Sequence, residues 1–229
     1  MRARRASRVG QLKNAGRGNE VQAITMARHI AIAVLRTEHR SLHEVLRLLC
    51  SLLEEFCGGT LMPDSELLAS ILYYIEEFTN RLHHPKEEQF LFSAIESRVG
   101  TRPPLLDILA VEHRESLADT GELRRLLVHL EGHRPNALAE LGAAAGTFVD
   151  VQFAHMRREE QELLPLAELM LGDDDWVRLA IAFTANNDPL FGTSPRAEFA
   201  RLRNRLAASA PPGFPFGGTR SRSPYEPLL

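Results

Sequence analysis

His83-His84-Pro85-Lys86-Glu87-Glu88 (residues 83–88) and His155-Met156-Arg157-Arg158-Glu159-Glu160 (residues 155–160) are two copies of one pattern, His-x-x-basic-Glu-Glu. A second matching pair precedes them, Glu38-His39-Arg40 and Glu112-His113-Arg114. The spacing is also kept: 44 residues separate His39 from His83, and 42 separate His113 from His155. A duplicated set of residues capable of chemistry is hard to obtain from packing alone. It divides the chain into two similar halves, each offering one lone His and one His-x-x-x-Glu.

The flanking sequence places these motifs on helices. Leu42, Leu46, Leu49 and Leu53 recur at spacings of three and four, the helix period, within a segment from about Ile24 to Phe56 that Gly58-Gly59 ends. Pro63-Asp64-Ser65 opens a second helix with Asp64 or Ser65 as its cap, and Ile71, Tyr74, Ile75, Phe78 and Leu82 form its apolar face. Pro85 should interrupt and bend that helix before it stops at Gly100. A third helix is predicted from Pro104 to Glu131 on Leu105, Leu109, Leu117, Leu127 and Leu130. A fourth runs from about Asn136 to Leu171 on Leu138, Leu141, Phe148, Val151, His155 and Leu163. Asp173–Asp175 then cap a short fifth helix around Trp176–Ala185. No stretch alternates as a strand does. The expected fold is all-α, an up-down-up-down four-helix bundle with a short fifth helix. Residues 1–23 read as a disordered basic segment, 24–192 as the bundle, and 193–229 as a flexible C-terminal tail in which 196–208 could be helical.

Composition sets outer limits. The 229 residues and 44% hydrophobic content suit a globular domain with tails. The formal net charge of −3 conceals two basic ends around an acidic middle, which argues against a nucleic-acid-binding core and is compatible with cation binding. No apolar run is long enough to span a membrane. Cys50 and Cys57 lie too far apart along one helix to pair, so they read as core or near-core thiols of a cytoplasmic protein.

Residues i and i+4 of a helix project from one face, one turn apart. His83 and Glu87 can therefore reach one centre, as can His155 and Glu159. In an antiparallel bundle His39, His83, His113 and His155 can fall near one level and face inward with the two carboxylates. Buried carboxylates without a partner cost several kcal/mol or change their protonation. A pair of metal ions removes that cost, with each carboxylate shared between both ions. Mixed imidazole and carboxylate donors suit iron, manganese or zinc, and the lack of thiolate ligands argues against iron–sulfur clusters and structural zinc.

The quartet of lone His plus His-x-x-x-Glu-Glu resembles the hemerythrin-like (HHE cation-binding) domain, over roughly residues 26–171. That resemblance implies a non-haem centre of two iron ions on His39, His83, Glu87, His113, His155 and Glu159, the two Glu bridging. It departs from the oxygen-carrying members at one point: they have a second His one turn after the helix-three ligand, where this chain has Leu117. The symmetrical set looks more like bacterial relatives implicated in di-iron storage, nitric oxide response or iron–sulfur cluster repair. The resemblance implies a protein that binds oxygen, nitric oxide or peroxide, or stores iron, in sensing or stress response. Alternatives are an enzyme reducing nitric oxide or peroxide at the same centre, and an interaction module with a structural metal.

Several residues compete for roles. His84 pairs with Glu88 just as His83 pairs with Glu87; aligning Lys86-Glu87-Glu88 with Arg158-Glu159-Glu160 favours His83, leaving His84 as an additional or alternative ligand. His43 lies one turn after His39 and could face the core. Tyr73 or Tyr74 could place a hydroxyl near the centre. Glu38 and Glu112 could accept hydrogen bonds from ligands or make surface pairs, the surface reading being preferred. Arg157 and Arg158 read as solvated.

Overall fold

A computed structural model describes residues 2–59, 63–185, 188–192, 194 and 196–209, with side chains described from residue 25 to residue 208. Helix α1 spans Arg2–Cys57. Helix α2 covers residues 65–99 and changes character along its length: α-helical over Ser65–Tyr74, π-helical over Ile75–His83, one α turn over His84–Lys86, π-helical again over Glu87–Phe92, and α-helical over Ser93–Val99. Helix α3 is Pro104–Glu131. Helix α4 covers residues 137–170, with a π turn at Glu159–Leu163 between α-helical Ala137–Arg158 and Leu164–Met170. Helix α5 is Asp173–Thr184, and a 3-10 turn, Ala197–Phe199, leads into α6, Ala200–Ser209. There is no strand among the described residues.

Two apolar cores show that the first four helices run up-down-up-down. One joins the C-terminal part of α1 (Leu42 to Phe56), the start of α2 (Leu67 to Phe78), the end of α3 (Leu123 to Leu127) and the start of α4 (Leu141 to Val149). The other joins the opposite ends: Ala31 and Leu35 of α1, Leu91 to Ile95 of α2, Leu106 and Leu109 of α3, and Leu163 to Ala167 of α4. Helix α5 closes this second end with Trp176, Leu179 and Phe183. Each fully buried Leu, Ile or Phe contributes about 1.5–3 kcal/mol relative to its exposed state. The band between the cores is where His39, His83, His113 and His155 lie, so apolar layers exclude water from it on both sides.

The helix bounds agree closely with the apolar periods, and four details differ. The backbone of α1 is helical from Arg2 rather than from about Ile24; adding turns to an existing helix costs far less than starting one, and the first residues are rich in Arg and Ala. Pro85 does not break α2. A proline removes one N–H and clashes with the carbonyl four residues back; here the preceding His84 N–H reaches back five residues to Thr79 O, and the wider π turn absorbs the misfit. Pro165 is handled likewise, with the Leu164 N–H bonded to Glu159 O. Leu117, expected on the apolar face of α3, is 54% exposed. The inward positions there belong to Ser116 and Thr120, which hydrogen-bond Asn80 of α2 at 3.0 and 3.1 Å.

The fourth difference concerns the tail. Residues 197–209, placed in the flexible tail although 196–208 could be helical, form a packed element because Phe199, Leu202 and Leu206 recur at helical spacing and bury against α1 and α2. Residues 210–229 of that expected tail lie outside the described residues. The connection is held by Asp188, whose carboxylate accepts hydrogen bonds from the Tyr74 hydroxyl (3.0 Å) and from the N–H groups of Leu190 (2.8 Å) and Phe191 (3.0 Å). Burial pushes that carboxyl up to about 6. Cys50 is half-buried and Cys57 exposed, so the second thiol is not in the core. No described helix is long and apolar enough to cross a membrane.

Candidate metal centre

His39 on α1, His83 and Glu87 on α2, His113 on α3, and His155 and Glu159 on α4 are brought together in the central band, all buried. The i,i+4 geometry performs as its spacing suggests. His83 Nε2 stands 3.5 Å from Glu87 Oε1, and His155 Nε2 stands 3.1 Å from Glu159 Oε1. The lone histidines reach both carboxylates: His39 Nε2 is 3.1 Å from Glu159 Oε2 and 4.0 Å from Glu87 Oε1, and His113 Nε2 is 3.5 Å from Glu159 Oε1 and 3.6 Å from Glu87 Oε2. Two groups of potential ligand atoms result, His39/His83/Glu87/Glu159 and His113/His155/Glu87/Glu159, sharing both carboxylates.

The outward nitrogens are also occupied. His83 Nδ1 donates to Glu38 (2.8 Å), His155 Nδ1 to Glu112 (2.8 Å), His113 Nδ1 to Glu88 (2.8 Å) and His39 Nδ1 to Glu160 (2.9 Å). Each bond joins neighbouring helices, and together they close a ring α1–α2–α3–α4–α1. A carboxylate on Nδ1 keeps the proton there and leaves the Nε2 lone pair pointing inward, the form a metal requires. Behind this shell Lys86 Nζ donates to both oxygens of Glu38, at 2.8 and 3.1 Å, and Arg158 donates to Glu112. Lys86 also lies 4.9 Å from the ring centre of Phe183, under α5. Glu38 and Glu112 are thus partners of the imidazoles and not surface groups, and Arg158 is held rather than free in solvent. The sequence offers Glu88 only as a partner for His84 and gives Glu160 no role, although the second Glu of the duplicated Glu-Glu pair was the available signal.

The inner atoms have no such partners. Both oxygens of Glu87 and of Glu159, and Nε2 of His39, His113 and His155, are buried without an aligned hydrogen bond. Buried polar atoms are nearly always satisfied, and each orphan costs about 1–3 kcal/mol. The electrostatics show the same tension. Burial and the neighbouring Glu159 hold Glu87 well above the usual carboxylate range, which favours its protonated form. Burial also opposes charge on Glu159, yet His155, His113 and His39 pull it well below that range. Burial pulls His39 down, but Glu159 and Glu160 against it push it up to about 9. Burial lowers His83 despite Glu38. Cations among these atoms would satisfy the orphaned lone pairs and replace the trapped protons, so the donor set fits a metal.

The rival residues sort cleanly. His84 is buried beside the group, its ring stacked on His113 with centroids 4.0 Å apart. His43 points away, stacks on Phe153 and is partly exposed. It lines, with His39, Arg40, Met156 and Glu160, an open cavity of about 430 Å³ that reaches the edge of the centre. The Tyr74 hydroxyl is committed to Asp188, and Tyr73 stacks on Phe199.

A family model described as the hemerythrin HHE cation binding domain matches residues 30–167, a range containing all of these His and Glu residues. No curated protein and no solved structure matches the chain.

Proposed function

The chain belongs to the hemerythrin HHE cation-binding family, and from that premise we propose that it holds two non-haem iron ions and uses them in the cytoplasm to bind oxygen, nitric oxide or peroxide, or to store iron, in sensing or stress response. The observation that carries the proposal is the convergence of orphaned buried donor atoms from His39, His113, His155, Glu87 and Glu159. Two groups of ligand atoms sharing Glu87 and Glu159 favour two ions over one. Imidazole and carboxylate donors favour iron, with manganese or zinc as chemically compatible occupants.

Bound iron supplies a Lewis-acidic, redox-active position for a diatomic or peroxide ligand. The protein supplies the rest. Glu38, Glu88, Glu112 and Glu160 hold the four imidazoles in the metal-binding tautomer and fix their planes. Glu87 and Glu159 contribute negative charge that two cations balance. The apolar cores keep bulk water from both ends of the band. The cavity beside His39 gives a small ligand an approach from solvent, a feature that a purely structural metal does not need.

The test is metal analysis of anaerobically purified protein together with optical spectra before and after azide or nitric oxide. The expected result is about two iron ions per chain and absorption that responds to both reagents. A colourless protein with about one tightly held zinc ion would sink the proposal.

A further inference from the structure

The two seams that the repeat makes equivalent are not built alike. The α1/α4 seam carries His39, Arg40, His43, Phe153, Arg157 and Glu160; the α2/α3 seam has His113, Arg114, Leu117, Arg81, Pro85 and Glu88 at the matching positions. The inward histidine, the arginine after it and the carboxylate on its Nδ1 are kept, and three positions change. On the α2/α3 side Leu117 is exposed, Arg81 is tied to Glu76 and Glu77 of its own helix, and Pro85 has no charge to offer. On the α1/α4 side the same three positions hold an imidazole, a phenyl ring and a guanidinium, and all three line the open cavity of about 430 Å³.

That cavity has a flat apolar part and a charged part. His43 lies against Phe153 with ring centroids 4.6 Å apart and 28° between planes, and the buried Met156 extends the apolar surface. Arg40 lines it from α1 and Arg157 from α4. Arg40 donates to Thr37 Oγ1 at 2.9 Å, and among the described residues neither guanidinium has a carboxylate partner. Glu160 also lines the cavity, but its carboxylate accepts from His39. Two guanidiniums and one carboxylate leave one net positive charge on the lining. A single negative charge balances it, whereas Glu160 would repel the second charge of a phosphate dianion. Guanidinium groups recognise carboxylates through paired N–H donors, and the volume suits a small-molecule site.

We propose that this cavity is a binding site for a small organic carboxylate with a flat apolar body, its carboxylate held between Arg40 and Arg157 and its body against His43 and Phe153. The inference goes beyond the metal reading and does not depend on it, because Arg40, His43, Phe153 and Arg157 belong to none of the groups of potential metal ligands. The α2/α3 seam lacks the imidazole, the phenyl ring and the second free guanidinium, so each chain has one such site although its metal-ligand pattern is duplicated.

The test is a calorimetric and proton NMR titration of the full chain, loaded with diamagnetic zinc, with benzoate as the probe. One benzoate should bind per chain at about 1 mM or tighter, with the largest shifts on the His43 and Phe153 rings. Benzamide keeps the ring and loses the charge, and acetate keeps the charge and loses the ring; each should bind at least about 10-fold more weakly. The double variant Arg40→Gln/Arg157→Gln should weaken benzoate at least about 10-fold. Arg114→Gln, at the matching position of the other seam, should stay within about 2-fold. No binding at about 10 mM benzoate would overturn the proposal. So would benzamide, acetate or inorganic phosphate binding as tightly as benzoate, or shifts confined to His83 and His113, which would put the carboxylate on the metal. Arg40 and Arg157 are exposed, so the double variant should fold, and the comparison of probes on the wild type decides the matter without it. The count of bound zinc tests the metal reading separately.

Discussion

Glu38 on α1 and His83 on α2 are joined by a 2.8 Å hydrogen bond, and the same carboxylate neutralises the buried ammonium of Lys86. Its counterpart Glu112 does the same for His155, but the cation behind it, Arg158, is 30% exposed against 8% for Lys86. Removing one partner of a buried ion pair costs about 3–5 kcal/mol, whereas a partly solvated guanidinium recovers water. Glu38→Ala should therefore destabilise the metal-free protein by about 3 kcal/mol, and Glu112→Ala by less than about half of that. Urea unfolding of both variants measures the difference; equal costs would show that the two networks are equally wet.

Metal loading should release protons. Burial and Glu159 oppose charge on Glu87 and favour its protonated form, and Glu159 and Glu160 push His39 up to about 9 against the effect of burial. Ions compete with both protons, so the apparent affinity should rise with pH up to about 9. Calorimetric titration at pH 7 in buffers of different ionisation enthalpy reads the released protons directly. Heats independent of the buffer would contradict this assignment.

Asp188 gives a pH effect away from the centre. Its carboxyl titrates at about 6 when folded, above its ordinary 3.8. Between those values the folded state binds more protons than the unfolded state. The contribution to stability is thus full below about 3.8 and lost as pH rises through about 6. Asp188→Asn keeps acceptors for Leu190 and Phe191 but cannot ionise. Relative to that variant, the wild type should lose stability between pH 4 and 6.5 by on the order of 1–3 kcal/mol, read from parallel denaturation curves. Parallel stability profiles for the two proteins would exclude a raised carboxyl.

The packed C-terminal helix predicts a contrast between two leucines. Leu202 is fully buried against the bundle, and Leu117 is 54% exposed. Leu202→Ala should cost about 2–5 kcal/mol, while Leu117→Ala should stay within about 0.5 kcal/mol. Thermal melts compare them; a silent Leu202→Ala would mean that α6 contributes little to holding the fold.

The four helices and four of the six inward residues were legible because each rests on a short-range period, three and four for the leucines and four for His83/Glu87 and His155/Glu159, while His39 and His113 were legible from the duplication of Glu-His-Arg. What was not legible depends on which neighbour lies opposite. Glu38 looked like a surface residue because it sits beside His39 in sequence and cannot share its face. Only the adjacent α2 reveals that it serves His83 instead. The π turns before Pro85 and Pro165 leave the apolar pattern intact, so the sequence marks a bend where the helix in fact widens. Leu117 follows the apolar period of α3, yet Asn80 on the facing helix recruits Ser116 and Thr120 to the inside.

The shared carboxylates would also determine how the protein lets bound ions go. Glu87 comes from the first hairpin and Glu159 from the second, and the two ligand groups that contain a carboxylate each draw on both. Neither hairpin owns a site of its own. If the seam between the hairpins loosens, both groups are dismantled in the same event, so two ions bound here would leave together and be withheld together.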